Sequence, residues 1–519
     1  MSLMGIDVGT TGCKAGLFSE TGRLLSLAYR EYPTLHRRPG WAELDSAEVV
    51  RLVKAAIGEA AAATPGDPVT ALCVSAMGEA MTPVSASGDI LGPAILSSDV
   101  RGGEYARQLE EQMGQAPFYN INPNILAANY SLPKLLWMKD HDTQVFNQAW
   151  KFLLWTDLIS YLFGGEAVTS YSHANRTLLF DLQREDWSGA LLDWGGIPRD
   201  RLAAVAPSGV ITGTVAASLA GELGLSRKTK IVLGGHDQCC NALGAGIIRG
   251  GKAVCGIGTI ECITPVFDHI PPLDAMLRAR LSIEHHVLPG LYLSFIYNQS
   301  GVLLKWFRDV FATADRRLLA EDADIYDVLL AEMPEAPTEL LVLPHFEPTG
   351  APEYLQDSAG VIAGLHTDTT RGTILKAIIE GAAFYFYESL EALRRLNIDT
   401  SAFIATGGAA KSDVLLQIRA DVFGTPFVRL KNTECGVAGA AMLAGIATGV
   451  YANAEQAAEQ FVDRDRVFEP GAGNHERYVT HFERYKRLHP NLRELLGAIS
   501  RDRIQGQAVR PEQERENEI

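Results

Sequence analysis

Short runs of apolar residues alternate along the chain with glycine-rich turns and longer amphipathic segments. Residues 4–18 read as a strand, a turn and a second strand, and residues 69–75 and 230–233 read as further strands. From Ser46 to Ala56 apolar positions recur every three or four residues, which predicts a helix with Ser46 as its N-cap. This order of strands and helices is typical of an α/β protein.

Two longer segments are predicted to be mainly helical. Residues 130–205 carry five of the seven tryptophans, which favours a helical layer packed on the first sheet. Ile374–Leu396 reads as a helix with Thr370 as its cap. Gly381 lies inside that helix, where glycine costs about 1 kcal/mol relative to alanine, so we expect close packing at this point.

One carboxylate follows the strand at residues 230–233 after a Gly-Gly pair. Because glycine adopts positive φ at little cost, Gly234 and Gly235 are predicted to form a sharp turn that presents Asp237 at the strand's carboxyl end. Ligands of open α/β sheets bind at that edge. Asp237 is therefore the candidate catalytic base.

The first turn, Gly9–Gly12, offers backbone N–H groups and two threonine hydroxyls that can cradle phosphate oxygens. It is neither a Walker A loop nor a GxGxxG fingerprint, and the alternative is an ordinary glycine-rich hairpin. Asp7 lies inside the preceding apolar strand, where an unpaired carboxylate is costly to bury. A metal-bound water would explain Asp7, so the phosphate interpretation is preferred.

The strand-then-Gly-Thr pattern occurs again at residues 253–259, which predicts a duplicated fold with one phosphate loop in each half. A third glycine turn, within residues 404–412, leads from a strand into a helix. Helix N-termini of this kind hold phosphates or polar groups of nucleotides.

A second polar segment, Ser97–Arg101, could contact a hydroxylated ligand. The alternative is that Asp99 and Arg101 only pair with each other, and the sequence leaves both open.

At 519 residues the chain is long enough for two or three domains, and its net charge of −16 argues against nucleic acid and anionic membranes as partners. The seven cysteines form no CxxC pair, which suits a reducing compartment. No apolar stretch has the length of a spanning helix, and no signal peptide is visible, so we expect a cytoplasmic protein. Residues 491–519 end in a strongly charged stretch and are expected to be a disordered tail.

Several stretches together resemble the FGGY family of carbohydrate kinases, in its xylulokinase-like branch, within the actin-like ATPase superfamily. The resemblance spans roughly residues 4–490 and rests on segments in the same order as in the family: Gly5–Thr11, Pro39–Glu43, Lys134–Met138, Ala174–Asp181, Gly234–Asp237, Gly360–Leu365, Glu380–Gly381, Gly407–Ala409 and Gly436–Ala441.

The resemblance implies two ribonuclease-H-like domains that flank a catalytic cleft. Residues 1–247 would form the sugar-binding domain, with the helical insertion at 130–205, and residues 248–490 the ATP-binding domain. It also implies ATP and Mg²⁺ as cofactors, a small sugar or polyol as the substrate, and a homodimer as the first expectation for assembly.

The resemblance implies a role for each matching residue. Asp7 would organise Mg²⁺ and Asp237 would be the general base. The ATP-contacting positions would be Thr10, Thr11, Lys14, Gly258, Thr259, Gly301, Lys305, Gly407, Gly408 and Ser412. The substrate-contacting positions would be Gly78, Glu79, Asp99, Arg101, Asp237 and Gln238.

The chain departs from the family's patterns in the substrate loop, Met77–Ala80. Xylulokinases typically carry Gln-Met-His-Gly there, glycerol kinases carry Arg-Glu, and this chain keeps only the acidic Glu79. Ser98 replaces the tryptophan usual before the Asp–Arg segment. A carboxylate accepts hydrogen bonds from hydroxyls, which favours a neutral polyol or ketose, such as the pentulose xylulose, over an acid such as gluconate unless Arg101 compensates. The alternatives are a nucleotide switch of the actin type and a sugar sensor without turnover.

Overall fold

The computed structural model describes residues 1–320, 323–350, 353–355 and 357–509. Its strands, numbered β1 to β24 in chain order, are Ser2–Val8, Gly12–Ser19, Leu24–Glu31, Glu43–Leu44, Val69–Ala76, Thr82–Val84, Ala94–Ile95, Lys151–Leu153, Val168–Ser170, Phe180–Asp181, Asp186–Trp187, Ala204–Ala206, Ile211–Thr214, Lys230–His236, Lys252–Ile257, Glu261–Phe267, Glu284–His285, Tyr292–Leu293, Ile296–Asn298, Leu341–Leu343, Val361–Ala363, Phe403–Thr406, Phe427–Leu430 and Arg464–Phe468.

The α-helices, numbered α1 to α20 in the same way, are Ser46–Ala62, Gly103–Met113, Gln115–Tyr119, Ser131–His141, Thr143–Gln148, Trp155–Phe163, Tyr171–Asn175, Gly189–Gly195, Ala217–Ala220, Asp237–Gly244, Leu273–Arg278, Ser300–Phe311, Thr313–Leu318, Ile325–Ala331, Arg371–Arg395, Asp413–Phe423, Cys435–Ala447, Ala454–Phe461, Ala472–Tyr485 and Leu488–Val509. Two short 3-10 helices lie at Arg199–Arg201 and Gly408–Lys411.

Two large sheets dominate the molecule, and they repeat one arrangement. The first has six strands in the order β13-β14-β5-β1-β2-β3, and the second has eight in the order β17-β18-β16-β15-β22-β23-β24, with β19 beside β16. In each sheet a hairpin, β1–β2 or β15–β16, pairs in parallel through its first strand with a later strand, β5 or β22. The expected α/β fold of two related domains is confirmed.

A shared core joins the two halves. Helix α10 follows the last strand of the first sheet, and helix α17, from the second half, packs against α10 and against β1. A side chain at Gly439 would place its Cβ 1.9 Å from the carbonyl oxygen of Cys240, and one at Gly244 would lie 1.9 Å from that of Cys435. Glycine is required at both positions because the two helix backbones touch.

The strand that leads to Asp237 corrects the expectation of a Gly-Gly turn. Strand β14 continues through Gly234 and Gly235 to His236, and neither glycine has a positive φ. A Cβ at Gly234 would lie 1.8 Å from the carbonyl oxygen of Val74 on β5. Gly234 therefore allows close approach between β14 and β5, and Gly235 leaves room for the side chains of Val287 and Ser172. The strand itself, rather than a turn, presents Asp237.

Both predicted helices are present, with different bounds and one corrected cap: α1 continues to Ala62, beyond the predicted Ala56, and α15 begins at Arg371 rather than Ile374. Helix α1 begins at Ser46, but its N-cap is Asp45, whose Oδ1 accepts hydrogen bonds from the backbone N–H groups of Ala47 and Glu48 at 3.1 Å each. Helix α15 has the predicted Thr370 cap. A Cβ at Gly381 would lie 2.3 Å from the carbonyl oxygen of Val342, so the predicted close packing is present.

The insertion contains short strands besides the predicted helices, and the C-terminal segment is helical where a disordered tail was expected. Residues 130–205 hold helices α4 to α8 together with short strands, around a core of their own that includes Trp187. Helix α20 contradicts the expected disordered tail over residues 491–509, whereas residues 510–519 lie outside the described residues. Within the described ranges, no helix combines the length and apolar character needed to cross a membrane.

Candidate active site

The carboxyl ends of three parallel strands, β1, β5 and β14, meet at one edge of the first sheet. Asp237 is the first residue of α10 directly after β14, and 29% of its side chain is exposed. It shares a cavity of about 540 Å³ with Asp7, Thr10, Thr11 and Lys14, and Gly9, Gly12 and Tyr29 complete the lining. A larger cavity, of about 770 Å³ between Lys151 and Trp187, is lined by neither Asp7 nor Asp237, so we place the chemistry in the smaller one.

Asp237 sits in an environment that favours its protonated form. Its burial, and then the negative charges of Asp7 and Glu79, raise the pKa of its carboxyl to about 8. Oδ1 lies 3.2 Å from Nε2 of His236, although the pair lacks the alignment of a hydrogen bond. A raised carboxyl pKa in a cleft is a frequent mark of a functional acid or base.

Asp7 lies at the inner end of the same cavity. Its Oδ1 accepts a hydrogen bond of 2.7 Å from the Ser75 hydroxyl, and burial raises the pKa of its carboxyl. The described residues contain no group of three or more His, Cys, Asp or Glu side chains arranged to hold a metal. Mg²⁺ is usually held by one or two carboxylates together with phosphate oxygens and water, so the Asp7 carboxylate fits such a site.

The Gly9–Gly12 turn forms the rim of the cavity. It is closed by a 2.9 Å hydrogen bond from the Gly9 N–H to the Gly12 carbonyl, and the Tyr32 hydroxyl donates to the Gly9 carbonyl at 2.7 Å. Thr10 and Thr11 are exposed at the tip, which leaves their hydroxyls available to a ligand.

Lys14 lines the cavity with a partner that the sequence did not reveal. Its Nζ donates to Oε2 of Glu434 at 2.6 Å, and Glu434 directly precedes α17 of the second half. The predicted contact of Lys14 with phosphate would therefore compete with, or share, an ion pair that crosses between the halves.

The predicted nucleotide loops of the second half converge at one end of the second sheet. A Cβ at Gly301 would lie 2.0 Å from the carbonyl oxygen of Gly258, so the start of α12 rests on the exposed Gly258–Thr259 loop. Gly407 has φ +85°, and a Cβ there would lie 2.7 Å from the carbonyl oxygen of Ile257. The three segments thus adjoin one another.

The remaining predicted nucleotide positions differ in their surroundings. Gly408 is exposed, with no atom within 4 Å of a Cβ placed on it. Ser412 caps α16 and accepts a hydrogen bond from the Leu415 N–H, so its side chain has a structural use. Lys305 is exposed on α12, one turn after Gly301.

The substrate loop after β5 holds Glu79 in an uncommon conformation. Glu79 has φ +60°, in the left-handed region that non-glycine residues seldom occupy, and its carbonyl accepts a 2.6 Å hydrogen bond from the Ser131 hydroxyl. Arg176 donates from Nε to Oε1 of Glu79 at 2.7 Å. A residue larger than glycine at position 78 would require Arg176 to shift, because its Cβ would lie 3.1 Å from Arg176 Cγ.

The side chains of Asp99 and Arg101 form an ion pair with each other. Arg101 Nε donates to Asp99 Oδ1 at 2.9 Å, and its NH2 lies 2.8 Å from Oε1 of Glu43. The guanidinium also stacks 3.7 Å from the Trp41 ring, and both paired side chains are buried. Asp99 and Arg101 therefore pair with each other, which was one of the two alternatives that the sequence left open. Contact of either residue with a substrate stays a prediction.

Gln238 follows the base, but its side chain is turned to Cys262. The Cys262 thiol lies 3.3 Å from Oε1 of Gln238 as a hydrogen-bond donor. The Cys239 and Cys240 thiols are buried, and burial raises the pKa of both, so they are inert core residues rather than nucleophiles.

Three residues of the site were missed by the sequence analysis: His236, Arg176 and Glu284. Arg176 is buried and its NH1 donates to Oε1 of Glu284 at 2.5 Å. The sequence did carry a signal, because an arginine inside the apolar segment 174–181 and a glutamate inside 281–287 each require a buried partner. The sequence did not show that these two residues pair with each other.

Comparison with known proteins identifies relatives across the whole chain. The model of the FGGY family of carbohydrate kinases, N-terminal domain, matches residues 2–244, and that of the C-terminal domain matches residues 283–448. A xylulose kinase of Bacillus subtilis is 28% identical over 502 residues, covering 96% of this chain and 98% of the relative.

A glycerol kinase of Gloeobacter violaceus is also 28% identical, over 474 residues that cover 91% of this chain and 93% of the relative. Among solved structures, a xylulose kinase from Rhodospirillum rubrum superposes with a TM-score of 0.85 at 25% identity, covering 96% of this chain and 100% of that one.

Proposed function

Because the chain belongs to the FGGY family of carbohydrate kinases, we propose that it transfers a phosphoryl group from ATP to a primary hydroxyl of a small neutral sugar or polyol. One observation carries the proposal. The carboxylates of Asp237 and Asp7 and the Gly9–Gly12 turn line one cavity at the carboxyl ends of parallel strands. That arrangement joins a proton acceptor, a cation ligand and a phosphate cradle.

Asp237 is proposed as the general base. Phosphoryl transfer depends on positioning and charge neutralisation more than on covalent catalysis. Asp237 would orient the acceptor hydroxyl and accept its proton as the oxygen attacks in line. Mg²⁺ held at Asp7 would neutralise phosphate charge, and the same positive charge would favour the ionised form of Asp237, whose pKa is raised in part by Asp7.

The nucleotide is proposed to bind between the two glycine-threonine loops. Thr10 and Thr11 are exposed in one loop, and the exposed Gly258–Thr259 loop, backed by Gly301, would offer backbone N–H groups from the other half. The Gly407 turn, next to Ile257, would contact the nucleoside. Closing the cleft around both ligands would exclude water, which otherwise competes as the acceptor.

The charges around the acceptor position favour a neutral substrate. The carboxylates of Asp7 and Glu79 already raise the pKa of Asp237, a further anion would add to that repulsion, and Arg176 is already engaged by two carboxylates. Arg101 is engaged by Asp99, so it offers no compensation to a sugar acid. Together with the xylulose kinase relatives, this favours a pentulose such as xylulose, whereas the glycerol kinase relative makes a polyol the second substrate to test.

A coupled assay of ADP release across pentuloses, hexuloses, polyols and sugar acids tests the proposal. We expect turnover with at least one neutral ketose or polyol and none with gluconate. ATP hydrolysis that no sugar changes would contradict a kinase and would favour a nucleotide switch.

The base is tested by Asp237→Asn. The amide keeps the shape of the side chain but cannot accept the proton, so the rate with the best sugar should fall by about 10²- to 10⁴-fold while ATP still binds. Turnover close to that of the wild type would remove Asp237 from the mechanism.

A further inference from the structure

A buried ionic cluster lies behind the acceptor position. We call it the Arg176 cluster; it consists of Arg176, Glu79 and Glu284. Arg176 donates from Nε to Glu79 and from NH1 to Oε1 of Glu284, at 2.7 Å and 2.5 Å, and all three side chains are buried. One guanidinium thus holds two carboxylates from segments that flank the site. Buried charges are tolerated only when paired in this way.

His236 connects this cluster to the base. Its Nε2 lies 3.2 Å from Oδ1 of Asp237, and its Nδ1 lies 3.8 Å from Oε2 of Glu284. Within the described part of the chain, Asp237 Oδ1, His236 Nδ1 and Glu284 Oε2 are all buried and have no hydrogen-bond partner. A buried polar atom without a partner costs about 1–3 kcal/mol, so three of them around one ring need an explanation.

The chemistry of the ring supplies that explanation. Burial, and then the positive charge of Arg176, lowers the pKa of His236 well below its ordinary value, so the ring is neutral and has one N–H. Nδ1 is too far from Glu284 for a hydrogen bond, whereas Nε2 is within reach of Asp237. The distances therefore favour the proton on Nε2. Catalytic hydrogen bonds are often poorly aligned without substrate and tighten when it binds.

We propose that His236 is a positioning residue for the base, and that Glu284, through Arg176, is a positioning residue for Glu79. In the substrate complex the Nε2–H of His236 donates to Oδ1 of Asp237, which turns the other carboxylate oxygen toward the acceptor hydroxyl. Glu284 holds Arg176, and Arg176 holds Glu79, so that one buried network fixes both the base and the carboxylate that recognises the acceptor. This inference rests on the proposed role of Asp237.

The test compares two substitutions of the same residue. His236→Leu removes the N–H, and because misplacing a reacting group by about 1 Å can cost about 100-fold, we expect kcat to fall by about 10- to 100-fold. The KM for the sugar and the Kd for ATP should change less than about threefold. His236→Gln places an amide N–H near the position of Nε2 and should recover about tenfold over the leucine variant.

Glu284→Gln tests the other end of the network. The amide keeps the volume but removes one of the two charges that hold Arg176, so Glu79 loses its fixed position. We expect the KM for the sugar to rise about tenfold, with a smaller change in kcat.

His286→Leu is the matched control. His286 is also buried, and its ring has no carboxylate at ion-pair distance among the described residues. Its loss should lower Tm and leave kcat unchanged. The proposal is overturned if His236→Leu keeps the kcat of the wild type, or if the leucine and glutamine variants are equally slow. If His236→Leu does not fold, the test rests on His236→Gln and Glu284→Gln. The proposal is then overturned if both variants keep the kcat and the sugar KM of the wild type.

The proposed function and the positioning role of His236 can be contradicted independently of each other. Normal turnover in Asp237→Asn would remove the base itself, whereas a dead Asp237→Asn beside an active His236→Leu would overturn only the positioning role.

Discussion

Among single residues, Asp237, as the proposed base, is subject to two opposing demands. A base must be ionised before it can accept a proton, yet burial and the charges of Asp7 and Glu79 raise the pKa of this carboxyl to about 8. The folded chain therefore holds the ionised form at a cost to its stability. Residues placed for function often have this effect on the fold.

This cost should appear as a dependence of stability on pH. The pKa of Asp237 is higher in the folded chain than the ordinary value of 3.8, so folding binds the proton more tightly and stability is lost as pH rises from about 4 to about 8. Asparagine does not titrate. We therefore expect Asp237→Asn to become progressively more stable than the wild type over this range, with a constant difference above it.

Thermal melts of the two proteins at several pH values, without ligands, measure the difference in Tm. A difference that does not change with pH would show that Asp237 titrates alike in the folded and unfolded chains.

Single residues also show what a sequence can and cannot reveal. Asp7 and Asp237 were predicted because a carboxylate in or after an apolar strand stands out. Arg176 was not, because its two partners lie 97 and 108 residues away and no local pattern marks such a pairing. The sequence left open whether Asp99 and Arg101 pair with each other or contact a ligand, because no local pattern separates these two alternatives.

At the scale of elements, the presence and order of strands and helices were predicted better than their ends. The strand before Asp237 was expected to break at two glycines, but it continues, because Gly234 allows the close approach of β5 and Gly235 allows that of Val287 and Ser172. Charge composition also misled at the C-terminal end, where residues 491–509 continue a helix that begins at Leu488.

One ion pair holds the start of β16, next to the Gly258–Thr259 loop, to helix α16. Arg419 on α16 donates from Nε and NH2 to the two carboxylate oxygens of Glu261 at 2.7 and 2.8 Å, and both side chains are buried. Glu261 begins β16 directly after the Gly258–Thr259 loop. Arg419→Met would leave that carboxylate buried without its partner, so we expect a loss of about 3–5 kcal/mol in the free energy of unfolding.

Denaturant unfolding measures this loss, and an exposed pair gives the control. Arg51 and Glu48 form an ion pair of 2.6 Å on the surface of α1, where solvent screens the charges, so Arg51→Met should cost far less stability than Arg419→Met. Equal losses in the two variants would contradict the importance of burial.

Considered as a whole, the molecule depends on the crossing of α10 and α17. These helices touch through Gly244 and Gly439, and each has a residue of the candidate site at its start: Asp237 begins α10, and Glu434, which accepts a hydrogen bond from Lys14, precedes α17. A change in their crossing would move Asp237 relative to Glu434 and its ion pair with Lys14. No local sequence pattern indicates this long-range relation.

Gly439→Ala tests the crossing. Its Cβ would lie 1.9 Å from the Cys240 carbonyl oxygen, so the helices must separate, and we expect a loss of about 1–3 kcal/mol together with a lower kcat. Gly58→Ala on α1 is the control, because the nearest atom to its Cβ is 3.7 Å away and alanine should stabilise that helix by about 0.5–1 kcal/mol. Thermal melts and steady-state rates compare the two. A neutral Gly439→Ala would show that the crossing is more tolerant than the contact distances indicate.

The same crossing bears on whether the domains can exist apart. A polypeptide cut between α10 and β15 would give a first fragment whose β1 and β5 lack the helix that covers them, and a second fragment whose α17 has lost its partner. Each fragment would expose an apolar face complementary to the other. The chain is therefore suited to fragment complementation, in which kinase activity returns only when the two separately produced pieces are mixed.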